Sequence, residues 1–149
     1  MTISDESRIV PHFTFKEQAN NESDEEPKFR LETMEAVEHQ FMIEELRMWA
    51  VETYPKQFGQ SGLRVSSGFR NPLYNKKIGG ASNSCHLDTR ATDFDNIPEI
   101  LFNDFEVAWR VICSIHKRIG GIELYHWGIH VDSFSDKFGN VVFRRKDNR

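Results

Sequence analysis

Three side chains in the second half of the sequence have the types and the order that a catalytic metal site needs. His86 precedes Asp93, and His130 sits at the centre of Gly128-Ile-His-Val-Asp132. Two imidazoles and one carboxylate are a three-ligand set for catalytic zinc, with the fourth position left to water. A strand holding Asp93 and a strand holding His130 can be neighbours in one antiparallel sheet, and the loop bearing His86 would then fold over them. Spacing alone does not decide it, since such a His-to-Asp interval also arises among ordinary polar residues at strand ends. Cys85 adjoins His86 and raises a thiol–imidazole alternative. Adjacent residues point apart, however, and no orienting Asn or Asp accompanies the pair.

Elements of both kinds must position these residues. From Glu32 to Tyr54 the pattern is helical, with Met34, Val37, Phe41, Leu46 and Trp49 on one stripe until Pro55 and Gly59 to Gly62 end it. Leu63-Arg-Val-Ser reads as a short strand leading into Ser67-Gly-Phe-Arg70, and Asn71-Pro72 starts a short helix that Gly79-Gly80 closes. Ala91-Thr-Asp-Phe94 is a strand carrying Asp93. Asn96-Ile-Pro98 opens a second long helix with Leu101, Phe105, Ala108, Trp109, Ile112 and Ile115 at helical spacing. Strands follow at Ile122 to Tyr125 and Ile129 to Val131. A turn is expected at Asp136-Lys-Phe-Gly-Asn140 and a last strand at Val141-Val-Phe143, before the basic tail Arg144-Arg-Lys146. Helices early and strands late predict an α+β fold, an antiparallel sheet packed against two long helices. Trp49, Trp109 and Cys113 belong to its core, whereas His39 and His116, set among helical charges, are expected at the surface.

The chain of 149 residues suits one domain, drawn at 31–149, behind an acidic N-terminal arm or loop at 1–30 in which His12-Phe-Thr-Phe15 is a small apolar anchor. With 38% hydrophobic residues and 12 Phe, it can bury a core without disulfides. No apolar run reaches membrane-spanning length. The net charge of −4 argues against a dedicated nucleic-acid binder. Two Cys residues fit a reducing compartment, and the N-terminus lacks the features of a secretory signal, so synthesis in the cytoplasm is expected.

The segments Ser67-Gly-Phe-Arg70 through Ser84-Cys-His86, then Arg90-Ala-Thr-Asp93, Gly120-Gly-Ile and Ile129-His-Val-Asp132 together resemble a known family. It is that of the zinc D-alanyl-D-alanine carboxypeptidases, which share a fold with the hedgehog signalling domain. The likeness spans roughly Phe13 to Asp132 and is nearest to small stand-alone members, many of them phage-encoded. It implies zinc held by His86, Asp93 and His130, a substrate terminus held by Ser84, and Arg70 facing the scissile carbonyl or a substrate carboxylate. A guanidinium suits the last role, because it offers fixed donors that do not deprotonate. It further implies peptidoglycan stem or cross-bridge peptides as partners, cut by a carboxypeptidase or an endolysin-like endopeptidase. The enzyme would be released at lysis or carried in a virion.

Two positions depart from the family pattern. Well-studied members place Glu or Asp three residues before the last His ligand, where this chain has Trp127, and the usual Gly three residues after the first ligand is Thr89. The proton-accepting role then falls to Glu123 or His126. Glu123 has an odd spacing from His130 and needs an intervening turn to share its face. His126 has an even spacing and a side chain that titrates near neutrality. Asp132 is placed to orient an imidazole. The alternative that Trp127 supports is a catalytically silent zinc-binding module acting as a virion or assembly protein.

Overall fold

The computed structural model describes residues 8–18, 34–68, 90–134 and 142–149. In chain order these form β1 (Arg8–Val10), β2 (Phe13–Thr14), α1 (Phe15–Gln18), α2 (Met34–Thr53), α3 (Pro55–Phe58), β3 (Val65–Ser67), β4 (Ala91–Phe94), α4 (Phe102–Ile115), β5 (Gly121–Tyr125), β6 (Gly128–Asp132) and β7 (Arg144–Asp147). A 3₁₀ turn at Glu99–Leu101 leads into α4. The short helix expected after Asn71 and the turn at Asp136 to Asn140 lie outside the described residues.

Five strands form one sheet in the order β3-β4-β6-β5-β7. The first four pair antiparallel, but β7 runs parallel to β5, so the sheet is mixed and not the purely antiparallel one expected. The difference lies in Arg144-Arg-Lys-Asp147, which the sequence presents as a solvated basic tail. It is instead an edge strand, where charged side chains are tolerated because one face and one flank meet water. Its charges also have partners on the protein: Arg145 Nε reaches Glu106 Oε1 at 2.6 Å, and Asp147 Oδ2 meets Nη2 of Arg149, just past the strand, at 2.9 Å.

Alternation along the strands divides the sheet into two faces. Phe94, Ile122, Leu124, Ile129 and Val131 pack with Met42, Ile43 and Leu46 of α2 and with Phe102, Phe105 and Trp109 of α4. Val10 and Phe13 of the β1–β2 hairpin join the same core. The opposite face carries Asp93, His130 and Glu123. Gly128 allows β6 to lie this close to β4, for a Cβ there would sit 2.0 Å from the Phe94 carbonyl oxygen.

Helix α2 runs 20 residues and α4 14 residues. The stripe expected on α2 is rotated from the one that is buried: Met34 and Phe41 are exposed, while Ala36, His39, Gln40, Ile43 and Glu44 face inward. Polar residues hold that face because partners await them. His39 Nδ1 lies 2.8 Å from Ser133 Oγ and its Nε2 lies 2.9 Å from Thr92 Oγ1, so this histidine is buried and not a surface residue. Glu44 Oε1 accepts the His12 backbone N–H at 3.0 Å. Ile115, at the end of α4, is likewise exposed. Among the described residues no helix is long and apolar enough to cross a membrane.

Candidate functional site

The register of the sheet places Asp93 of β4 opposite His130 of β6, and His130 opposite Glu123 of β5. Because paired residues share a face, the three side chains form one row across three strands. The odd spacing of Glu123 and His130 is resolved by the tight turn at His126-Trp127. It pairs Tyr125 with Gly128 and carries that register back to Glu123. Asp93 Oδ1 lies 2.9 Å from His130 Nδ1. On the other side of the ring, His130 Nε2 lies 3.3 Å from Asp132 Oδ2.

Two carboxylates thus flank one imidazole. A neutral imidazole has a single N–H, so it can donate to only one of them, and the other contact calls for a second proton or a cation. With Nε2–H donating to Asp132, the Nδ1 lone pair faces Asp93, as a ligand pair would. Zinc bonds of ~2.0–2.1 Å at a tetrahedral angle set two donors roughly 3.3 Å apart, so the 2.9 Å separation here is that of a hydrogen bond and would open slightly around an ion. In that tautomer the Asp132 carboxylate holds the ring from behind, and Asp93 and His130 are the described residues that could hold a zinc ion. Among the described residues no third His, Cys, Asp or Glu completes a metal cluster. His86, the remaining expected ligand, lies outside the described residues, as do Arg70, Ser84, Cys85 and Thr89.

Asp132 is 1% exposed. Burial alone would push its carboxyl up, but the hydrogen bonds and charges of His130 and Arg144 outweigh it, and the group is held below its ordinary value as a carboxylate. Arg144 Nη1 donates to Asp132 Oδ2 at 3.2 Å, and Arg144 Nη2 donates to Oδ1. The sequence reading misses this arginine. The signal that points to it is Gly121, a glycine at the first position of β5, where a neighbour's side chain passes close.

Glu123 is half-buried, and the Tyr125 hydroxyl donates to its Oε2 at 3.4 Å. Burial, and then the Glu123 charge, raise the Tyr125 phenol above its ordinary value. The Tyr125 ring stacks on Trp127 at 4.8 Å, and Trp127 is 46% exposed. His126 is placed elsewhere. It sits in the turn, not on a strand, so even spacing does not bring it onto the row; its Nδ1 meets Glu99 Oε1 at 2.6 Å beside the start of α4. The imidazole, the Asp93 and Asp132 carboxylates and Glu123 thus gather on one face of three neighbouring strands.

The sequence model of the family described as Peptidase M15 matches residues 12–132. The chain belongs to that family. It is the family of zinc D-alanyl-D-alanine carboxypeptidase type that the segments from Ser67 to Asp132 resemble, and its members are peptidases. Comparison with curated proteins and with solved structures gives no match. The matched range takes in Asp93, Glu123, His130 and Asp132, but it ends before β7 and Arg144.

Proposed function

We propose that the protein is a zinc-dependent peptidase of the hedgehog/D-alanyl-D-alanine peptidase fold that hydrolyses stem or cross-bridge peptides of bacterial peptidoglycan. The observation that carries this reading is the row Asp93–His130–Glu123, held in register within a chain of the Peptidase M15 family. Asp93 and His130 hold the metal together with His86, which comes from the segment before β4. Bound zinc supplies a water whose pKa falls to ~7 and a Lewis acid for the scissile carbonyl.

The remaining chemistry belongs to side chains. Glu123, one strand away from His130, accepts the attacking water's proton on a carboxylate oxygen and returns it to the leaving amine nitrogen. The Tyr125 hydroxyl steadies that carboxylate, and the Tyr125–Trp127 stack gives the peptide an apolar wall. Arg70 offers donors to the developing oxyanion or to a substrate carboxylate, and Ser84 holds a substrate terminus, as the family resemblance implies. The place Trp127 takes from a family carboxylate is answered by Glu123 across the hairpin, which favours an active enzyme over a silent zinc-binding module. Release at lysis or carriage in a virion would bring it to the wall.

The test is the purified protein with one equivalent of zinc, incubated with muropeptides and read by mass spectrometry. Loss of a terminal D-alanine or cleavage of a cross-bridge is the expected result, and it also separates exopeptidase from endopeptidase. Full zinc occupancy without any cleavage makes the chain a silent module.

A further inference from the structure

The C-terminal strand β7 lies beyond the part of the chain that the family matches, yet one of its side chains reaches the row. Gly121 of β5 is paired with Asp132 on one side and with Arg144 on the other. With no side chain on Gly121, the Arg144 guanidinium crosses over β5. A Cβ at that position would lie 3.1 Å from both Arg144 Cζ and the Arg144 carbonyl oxygen. Having crossed, the guanidinium meets the Asp132 carboxylate with both terminal nitrogens. Asp132 is 1% exposed, so it is cut off from solvent screening; its further contacts are His130 Nε2 at 3.3 Å and the Phe134 backbone N–H, which donates to Oδ1 at 3.4 Å.

We propose that Arg144 is a positioning residue for the metal site, acting through Asp132 to hold the His130 ring with Nδ1 turned toward Asp93. This rests on the reading of Asp93 and His130 as metal ligands. The physical reason is geometric. A lone carboxylate can rotate about its Cβ–Cγ bond, whereas one gripped by a planar fork is fixed in plane, and the imidazole that donates to it is fixed in turn. Lysine offers a point charge without the fork, and so cannot replace arginine fully. The consequence is that β7, although outside the family's common part, is needed for a fully formed site.

The experiment measures Zn²⁺ affinity of the full chain by competition with a chromophoric chelator, together with the visible spectrum of the Co²⁺-loaded protein. Arg144→Met is expected to weaken zinc binding ~10–100-fold, the range for residues that orient a ligand, and to alter the Co²⁺ bands. Arg144→Lys should recover part of the loss, and Gly121→Ala, which crowds both the guanidinium and the β7 backbone beside it, should weaken binding as well. Arg145→Met, which removes the same charge from the next position of β7, should leave affinity unchanged. Because the effect passes through Asp132, Arg144→Met should add nothing in an Asp132→Asn background. Wild-type affinity and spectrum in both Arg144→Lys and Gly121→Ala would overturn the proposal, as would equal losses in the Arg144 and Arg145 variants. Failure of the wild-type chain to bind zinc, or undiminished binding by His130→Ala, would instead overturn the underlying assignment of the ligands and the proposal with it.

Discussion

At the scale of single residues, Glu123 and His126 can be told apart by where the hairpin sets them. Glu123 shares a face and a register position with His130, while His126 meets Glu99 beside α4. Glu123→Gln keeps the shape of the side chain and removes its basicity. It is therefore expected to bind zinc normally and to lose ~10²–10⁴-fold in the rate of muropeptide cleavage. His126→Ala should leave that rate unchanged, and steady-state kinetics on the two variants checks both outcomes. Asp93 and His130 could be picked out from the sequence because their residue types announce metal chemistry. Choosing Glu123 over His126 could not be made there, because parity along the chain depends on where the turn falls.

At the scale of elements, α2 shows how a helix can be plain in the sequence while its buried face is not. The span of apolar residues foretold a helix from Glu32 to Tyr54, close to the Met34–Thr53 observed. Its inward face is set by His39, which is 1% exposed and bridges Thr92 of β4 and Ser133 beyond β6. His39→Leu leaves two buried hydroxyls without that partner and should cost roughly 2–4 kcal/mol in urea unfolding. Adding Thr92→Val and Ser133→Ala removes the orphaned hydroxyls, and most of that loss should return. The C-terminal strand carries the same lesson: a run rich in arginine and lysine reads as a tail until Gly121 and Asp132 show what its first residue is for.

At the scale of the whole molecule, the proposed zinc and a buried thiol both couple to stability. A ligand present at a hundred times its dissociation constant stabilises the folded state by about 2.7 kcal/mol. Stripping zinc with a chelator should therefore lower the melting temperature by roughly 5–10 °C in a chain of this size. His130→Ala should melt at the same temperature with and without chelator. Burial pushes the Cys113 thiol up to about 12 from an ordinary 9.0, with the charge of Asp132 adding to the rise and Arg144 opposing it. Between those two values the folded protein keeps a proton that the unfolded chain has released. Its contribution is complete below about pH 9 and is lost as pH climbs toward the folded value, at about 1.4 kcal/mol per pH unit. Urea midpoints measured from pH 8.5 upward should fall more steeply for wild type than for Cys113→Ala.

What the sequence determined by itself was the parts: a His and Asp set in the family's order, a strand at Ala91–Phe94 where one was found, the span of α2 and the existence of α4. Those features are written in residue type and local periodicity, which a linear reading senses directly. The tertiary structure alone decided which side chains meet. Register, face and the parallel docking of β7 arise from hydrogen bonds and packing between distant segments, and no local pattern encodes them. That is why Glu123 emerged as His130's neighbour, why His39 went inside, and why an arginine near the C-terminus came to grip the aspartate behind His130.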